Sequence, residues 1–284
     1  MFTLTVENPR GETLRLTQDE SNYQIASIDG LNPPKANINT TQIAGMDGGR
    51  FKSSYVNMRN VVLMVAINGD VEQNRLRLYN FFGAGKWCKL YYKNDSRNVY
   101  CEGYCETIDG SLFAIKQQIQ ISIICPDPYF KSLAEIESDI SKVFANFEFP
   151  FAIDESGKEF SIIDEYREAE VYNPGEIACG AIIRMSAKAD GIVNPIIRNV
   201  STGEFLGLEL TLNHGDVLEI NTNKGQKAIT QYINDVPQNA INALMKDSTW
   251  FQLEPGLNRY YYEADANETY LRIEFLHNIL YEGV

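Results

Sequence analysis

The stretch "LFAIKQQIQISIICPDPYF" (112–130) limits what this chain can fold into more than any other. Phe113, Ile115, Ile119, Ile121, Ile123 and Cys125 are apolar, and Lys116, Gln118, Gln120 and Ser122 fall between them, a period of two. Such a pattern predicts a long half-buried strand with Cys125 on its inner face. Prolines at 126 and 128 then remove two backbone donors and bias the residues before them away from helix, so the ladder ends there. Beyond them Leu133, Ile136, Ile140, Val143 and Phe144 recur at helical spacing, with Glu135, Glu137 and Asp139 in the early turns where a helix dipole favours acids. A helix is predicted from about residue 132.

The charge changes at the same place. Residues 1–130 carry 13 acidic and 13 basic side chains, whereas 131–284 carry 25 acidic and 12 basic, so the net charge of −13 belongs to the second part. Prolines, period and charge together predict a boundary, with domains at 1–130 and 131–284. With 284 residues, 44% of them hydrophobic, there is enough chain for two cores. No stretch approaches the ~20 apolar residues of a membrane span, and "MFTLTVENPRGE" lacks the basic and apolar regions of a signal peptide, which predicts cytoplasmic synthesis and no membrane insertion. Five cysteines are too few and odd in number for a disulfide framework, so reduced thiols are expected. A protein that grips nucleic acid carries a basic stripe to neutralise phosphates; the acidic balance here argues against stable nucleic-acid binding.

Short strands separated by Gly, Asn and Pro run through both parts, including "YQIASI", "NVVLMVAING", "WCKLYYK", "NVYCEGYCETI", "CGAIIRMSAK", "DVLEINT", "TWFQLE" and "TYLRIEFLHNILY". Strands spaced by about 8–12 residues read as an all-β sandwich or barrel. One further helix is expected at "VEQNRLRLYNFF", where Leu76, Tyr79 and Phe82 share a face.

Catalytic motifs are poorly represented. "GAGKW" (83–87) has Asn80 where a phosphate loop needs its first glycine and Trp87 where it needs Ser or Thr, so it reads as a helix-to-strand turn. Cys101 and Cys105 in "CEGYC" lack zinc spacing and histidine partners, and on a strand they share one face as small hydrophobes. His214 and His277 have no nucleophile in sequence reach, and "DEYREAE" (164–170) reads as a solvated acidic surface. No cofactor, metal or catalytic residue is predicted.

"TTQIAGMDGGRFKSSYVNMRNVVLMVAI" (40–67) is different. Glycines at 45, 48 and 49 within weakly apolar flanks predict an extended arm or hairpin that leads into an apolar strand from Val61. An arm of this kind buries its edges against a neighbouring chain, which makes Ile43, Met46, Arg50, Phe51, Lys52, Tyr55 and Arg59 the candidate oligomer-interface residues.

An ordered series of segments resembles the distal tail proteins of siphophages that infect Gram-positive bacteria. It comprises "LNPPKANINTTQIAGMDGGRF", "NVVLMVAINGDVEQNRLRLYNFF", "KLYYKNDSRNVYCEGYCE", the strand ending at "CPDPYF", then "GIVNPIIRNVSTGEFLGLELTLNHGDVLEINTNKGQKA" and "WFQLEPGLNRYYYEA". The resemblance implies a mainly β structural virion protein without enzymatic activity. Its N-terminal ring-forming β-barrel or sheet domain would carry one helix and an extended belt arm, and a C-terminal galectin-like β-sandwich would follow. It further implies a homohexameric ring at the virion tail tip. The implied partners are the major tail tube protein, the tail-associated hub or lysin protein, and receptor-binding or other baseplate proteins, with DNA passing through without stable binding. The residues leave a second reading open, a monomeric cell-wall glycan-binding β-sandwich stacking sugars on Trp250 or Tyr261.

Overall fold

A computed structural model describes residues 2–17, 22–45, 47–111, 114, 116–139, 143–145, 161–163 and 168–284. The chain divides into two compact units, Met1–Leu133 with Leu280–Val284, and Ala134–Ile279.

In the first unit, alternating apolar residues form β1 (Thr3–Glu7), β2 (Thr13–Leu16), β3 (Tyr23–Asp29), β4 (Ala36–Thr41), β5 (Arg50–Val56) and β6 (Arg59–Ile67). After α1 (Val71–Phe81) come β7 (Trp87–Lys93), β8 (Asn98–Gly110), β9 (Gln118–Cys125) and β10 (Phe130–Asp139). Antiparallel pairing runs β2-β1-β7-β8-β9-β6-β3. The ends of this series meet in a parallel bridge between Thr17 and Gln24, where Ile25 donates its N–H to the Thr17 carbonyl at 3.0 Å. Closure removes the free edges that an open sheet would expose. Leu4, Val6, Leu63, Val65, Leu90, Ile121 and Ile123 fill the interior, each such side chain contributing about 1.5–3 kcal/mol by leaving water.

Bulges between Ile25 and Ser27 and between Cys105 and Thr107 interrupt the ladders of β3 and β8, bending each strand round the barrel. The predicted strand ahead of the prolines is β9, hydrogen-bonded to both β6 and β8, with Cys125 inside. Phe113 and Ile115 lie outside the described residues.

The helix forms where expected, with the Asp70 side chain accepting the Gln73 N–H as its N-cap. Its buried face differs from the sequence expectation: Leu78, Phe81 and the following Phe82 are inside, while Leu76 is exposed. Polar members hid the true stripe, because Asn74 and Arg75 lie along it. Asn74 donates to the Asn68 carbonyl and Arg75 pairs with Glu72.

The helix predicted beyond the prolines is strand β10. Phe130, Ser132, Ile136 and Ser138 are the more buried positions, a period of two broken only at the exposed Ala134, which the helical spacing of Leu133 and Ile136 obscured. Leu133 is exposed, as a solvent-facing strand position allows.

In the second unit β11 (Val143–Ala145) pairs with β12 (Ser161–Ile163). The strands that follow are β13 (Glu168–Asn173), β14 (Ile182–Ala187), β15 (Ile192–Val193), β16 (Ile196–Asn199), β17 (Phe205–Gly207), β18 (Thr211–Leu212) and β19 (Val217–Asn221). The series ends with β20 (Ala228–Ile233), β21 (Val236–Asn239), β22 (Gly256–Glu263) and β23 (Leu271–Tyr281). One antiparallel sheet runs β23-β14-β19-β20-β21 and another β13-β22-β16-β17. Tyr260 of β22 packs between Phe251 and Phe275 of β23, with ring centroids 5.0 and 4.9 Å away, so the two sheets face one another as a sandwich. "TWFQLE" is not a strand; it holds to its surroundings through the isolated Cys179–Leu253 bridge and the Thr249 N–H donating to the Phe205 carbonyl of β17 at 2.7 Å.

Candidate assembly surface

Between Gly30 and Arg59 the chain leaves the barrel and forms a hairpin of β4 and β5, which pair with each other as a two-stranded sheet. Gly45 and Gly48, both at positive φ, lie in its turn region. No strand residue of the hairpin is buried. Of the 14 large hydrophobic residues that are exposed among the described residues, five lie here: Ile38 (64%), Ile43, Phe51 (61%), Tyr55 and Met58 (63%). A lone two-stranded hairpin is marginal in water and single exposed apolar residues are ordinary, but five on one unsupported arm mark a surface that needs a cover.

The register explains how that surface is built. Ile38 pairs with Ser54, Asn39 with Ser53 and Thr40 with Phe51, so Lys52 is the extra residue of a bulge. A regular ladder would set Lys52 opposite Thr40 and turn Phe51 to the face of Tyr55. The bulge exchanges them. Ala36, Ile38, Phe51 and Val56 then share one face with Thr40 and Ser54, the more apolar of the two. Asn37, Asn39, Thr41, Arg50, Ser53 and Tyr55 share the polar one, where the Asn39 amide donates to the Ser53 hydroxyl at 3.0 Å.

Arg59 parts company with the other candidates. It is 3% exposed, and its guanidinium clamps the root of the arm. Nε donates to the Pro128 carbonyl at 2.6 Å, one terminal nitrogen to Gly30 and to Asn32 (2.9 Å), and the other to Glu282 (2.5 Å). The Phe130 ring lies 4.4 Å below the guanidinium carbon. Burial draws its pKa down, offset by Cys101, Cys125 and Asp127, yet a guanidinium stays charged at any physiological pH. Gly30 has φ +88° and an added Cβ would sit 2.1 Å from the Asn60 carbonyl, so only glycine fits where the outgoing chain crosses the returning one.

Of the other predicted contact residues, Ile43, Arg50, Phe51, Lys52 and Tyr55 lie together on the arm, and Met46 is outside the described residues. Sequence reasoning missed Ile38 and Met58. The alternation "ANINTT" was the available signal for Ile38, but the four polar residues around it diluted the pattern.

The remaining sequence candidates resolve into structural roles. Lys86 closes a turn with its N–H on Gly83 and donates Nζ to the Asn80 carbonyl at the end of α1. Cys101 and Cys105 are barrel-core residues. His277 is buried in the second unit and burial pushes its pKa down, whereas His214 is exposed. Lys227 covers the Trp250 ring at 5.5 Å, and Tyr261 donates to Glu263. Among the described residues no group of His, Cys, Asp and Glu could hold a metal ion.

A closed barrel, a self-paired arm with exposed apolar side chains and a β-sandwich define, as a class, a component built to be joined to other chains. Comparison with known proteins gives that class a family. The model of the phage tail protein RIFT-related domain matches residues 10–125, and that of the siphovirus-type tail component, C-terminal domain, matches 174–277. The chain belongs to the siphophage-type distal tail protein family, a family of structural phage tail proteins. Its fold is similar over 98% of its length to the Dit protein of phage SPP1, described as a paradigm of hub adsorption apparatus in phages infecting Gram-positive bacteria. The TM-score is 0.70 at 17% identity, with 99% of that chain covered. It is also similar over its whole length to a chain of the phage P2 baseplate in its activated conformation with calcium, at a TM-score of 0.54 and 11% identity, with 100% of that chain covered. No curated protein sequence matches it.

Proposed function

We propose that this protein forms a homohexameric ring at the distal end of a phage tail, joining the tail tube to the tail-tip hub and to the receptor-binding apparatus. The observation that carries this reading is the hairpin arm, whose face of Ile38, Phe51 and Val56 leaves Ile38 and Phe51 more than half exposed. A second copy of the chain supplies a cover for each arm in turn, and a head-to-tail contact of this kind closes into a ring when its rotation divides the circle. The first unit is then the ring-forming domain and the acidic sandwich the outward one. The family membership and the fold likeness to the SPP1 hub protein support the same placement.

The test is solution mass by light scattering over a concentration series. The intact chain, 32.2 kDa as a monomer, is expected to yield a particle of six copies. A chain with residues 40–57 replaced by a short glycine linker is expected to remain a folded monomer. A linker variant that still formed the large particle would remove the arm from the assembly.

A further inference from the structure

The arm is held at its root by residues from far along the sequence. Leu280–Val284 belong to the first unit. The Glu282 carbonyl takes one arm of the Arg59 fork, and the Val284 N–H donates to the Leu31 carbonyl at 3.1 Å. Tyr281 lies under the Arg97 guanidinium at 4.1 Å. Gly283 presses on Pro33 so closely that an added Cβ would sit 2.8 Å from Pro33 Cδ. Leu31 and Val284 both pack on the barrel core.

We infer that Arg59 and Glu282–Val284 form a latch that sets the direction in which the hairpin arm leaves the barrel. Resting on the ring reading for its purpose, this latch acts as a positioning device for the arm. The physical reason lies in the four carbonyls. Gly30 and Asn32 belong to the outgoing chain, Arg59 begins the returning one, Pro128 follows the end of β9, and Glu282 comes from the C-terminal stretch. One planar fork ties four segments, so the angle of the arm is defined only when all four are in place. A lysine ammonium is a point charge on a flexible stem and cannot hold four carbonyls in that geometry. Arm and C-terminal stretch share no strand pairing, so Arg59, the Val284–Leu31 bond and the Gly283–Pro33 contact carry the coupling.

Amide hydrogen exchange read by mass spectrometry on the full chain tests this in three variants: Arg59→Lys, a chain ended after Tyr281, and Gly283→Ala, whose methyl pushes the stretch off Pro33. Each is expected to speed exchange at least about tenfold in peptides covering 30–38 and 54–60, with β7 and β9 unchanged, and to lower the assembled fraction. Unchanged exchange at the arm root in all three would overturn the latch. So would exchange rising equally through the whole barrel, which reports general loss of stability. A wild-type chain that stays monomeric would end the ring reading while leaving the exchange result to decide the latch.

Discussion

The sulfur atoms of Cys101 and Cys125 lie 3.9 Å apart inside the barrel, one on β8 and one at the end of β9, both shut away from solvent. The hydrogen bond between Cys125 and Cys101 and the charge of Arg59 lower the Cys125 pKa against its burial. Burial pushes Cys88 up to about 12 and Cys179 up to about 11. Thiolates are the reactive form, so the raised pKa values disfavour attack at the other four cysteines, and at Cys125 burial alone shields the sulfur. Ellman's reagent at neutral pH should therefore leave all five cysteines unmodified in the folded chain and titrate all five in denaturant. Two or more reacting within minutes in native buffer would contradict their placement inside the two cores.

His277 makes the stability of the second unit depend on pH. Its folded pKa is lowered from 6.5 because burial disfavours the cation, with a smaller opposing effect from the Tyr172 backbone. Below about 6.5 the unfolded chain binds a proton that the folded chain refuses, so the stability present above that pH is lost as pH falls towards the folded pKa. Urea unfolding at pH 8 and pH 5.5 should show the midpoint dropping at the lower pH, and His277→Leu should flatten that difference. An equal drop in the variant would assign the effect to carboxylates.

Gly103 lies on β8 where the barrel interior leaves no room for a methyl group. An added Cβ would meet Cys125 Sγ, Ile123 Cγ2 and the Ile124 carbonyl, each at 2.8 Å. Overpacking of this kind costs about 1–3 kcal/mol. Gly103→Ala should lower the thermal midpoint of the first unit by several degrees in calorimetry, and a midpoint within one degree of wild type would mean that the strand shifts without resistance.

On the arm the opposite response is expected. Ile38 and Phe51 touch little of their own chain, so Ile38→Asp and Phe51→Asp should leave the thermal midpoint nearly unchanged, surface changes of this kind staying within about 0.5 kcal/mol. The same substitutions should abolish the large particle in light scattering. Tyr55→Asp, on the polar face, should do so less completely. Equal effects from both faces would argue that the arm's presence matters and its sidedness does not.

Which parts of this fold the sequence discloses follows from where neighbouring side chains agree. The alternation of Ile119, Ile121 and Ile123 survives because both flanking strands, β6 and β8, present apolar partners to it. The two missed patterns fail for one reason. In β10, Leu133 and Ile136 happen to fall three apart while the true period runs through the small residues Ser132 and Ser138. In α1 the inner stripe runs through Asn74 and Arg75. The arm is legible through its glycines, but its sidedness is not, because a bulge at Lys52 changes which residues share a face and no local composition announces it. Arg59 is hidden for a different reason: its partners are carbonyls at 30, 32, 128 and 282, and every residue type has a carbonyl.

The division of the first unit between residues 1–133 and 280–284 also has a consequence in time. A ribosome that has finished the barrel strands must still make the whole of Ala134–Ile279 before Glu282 exists for Arg59 to hold, an interval on the order of ten seconds at bacterial elongation rates. During it the barrel can close, but the root of the arm lacks one of its four carbonyls.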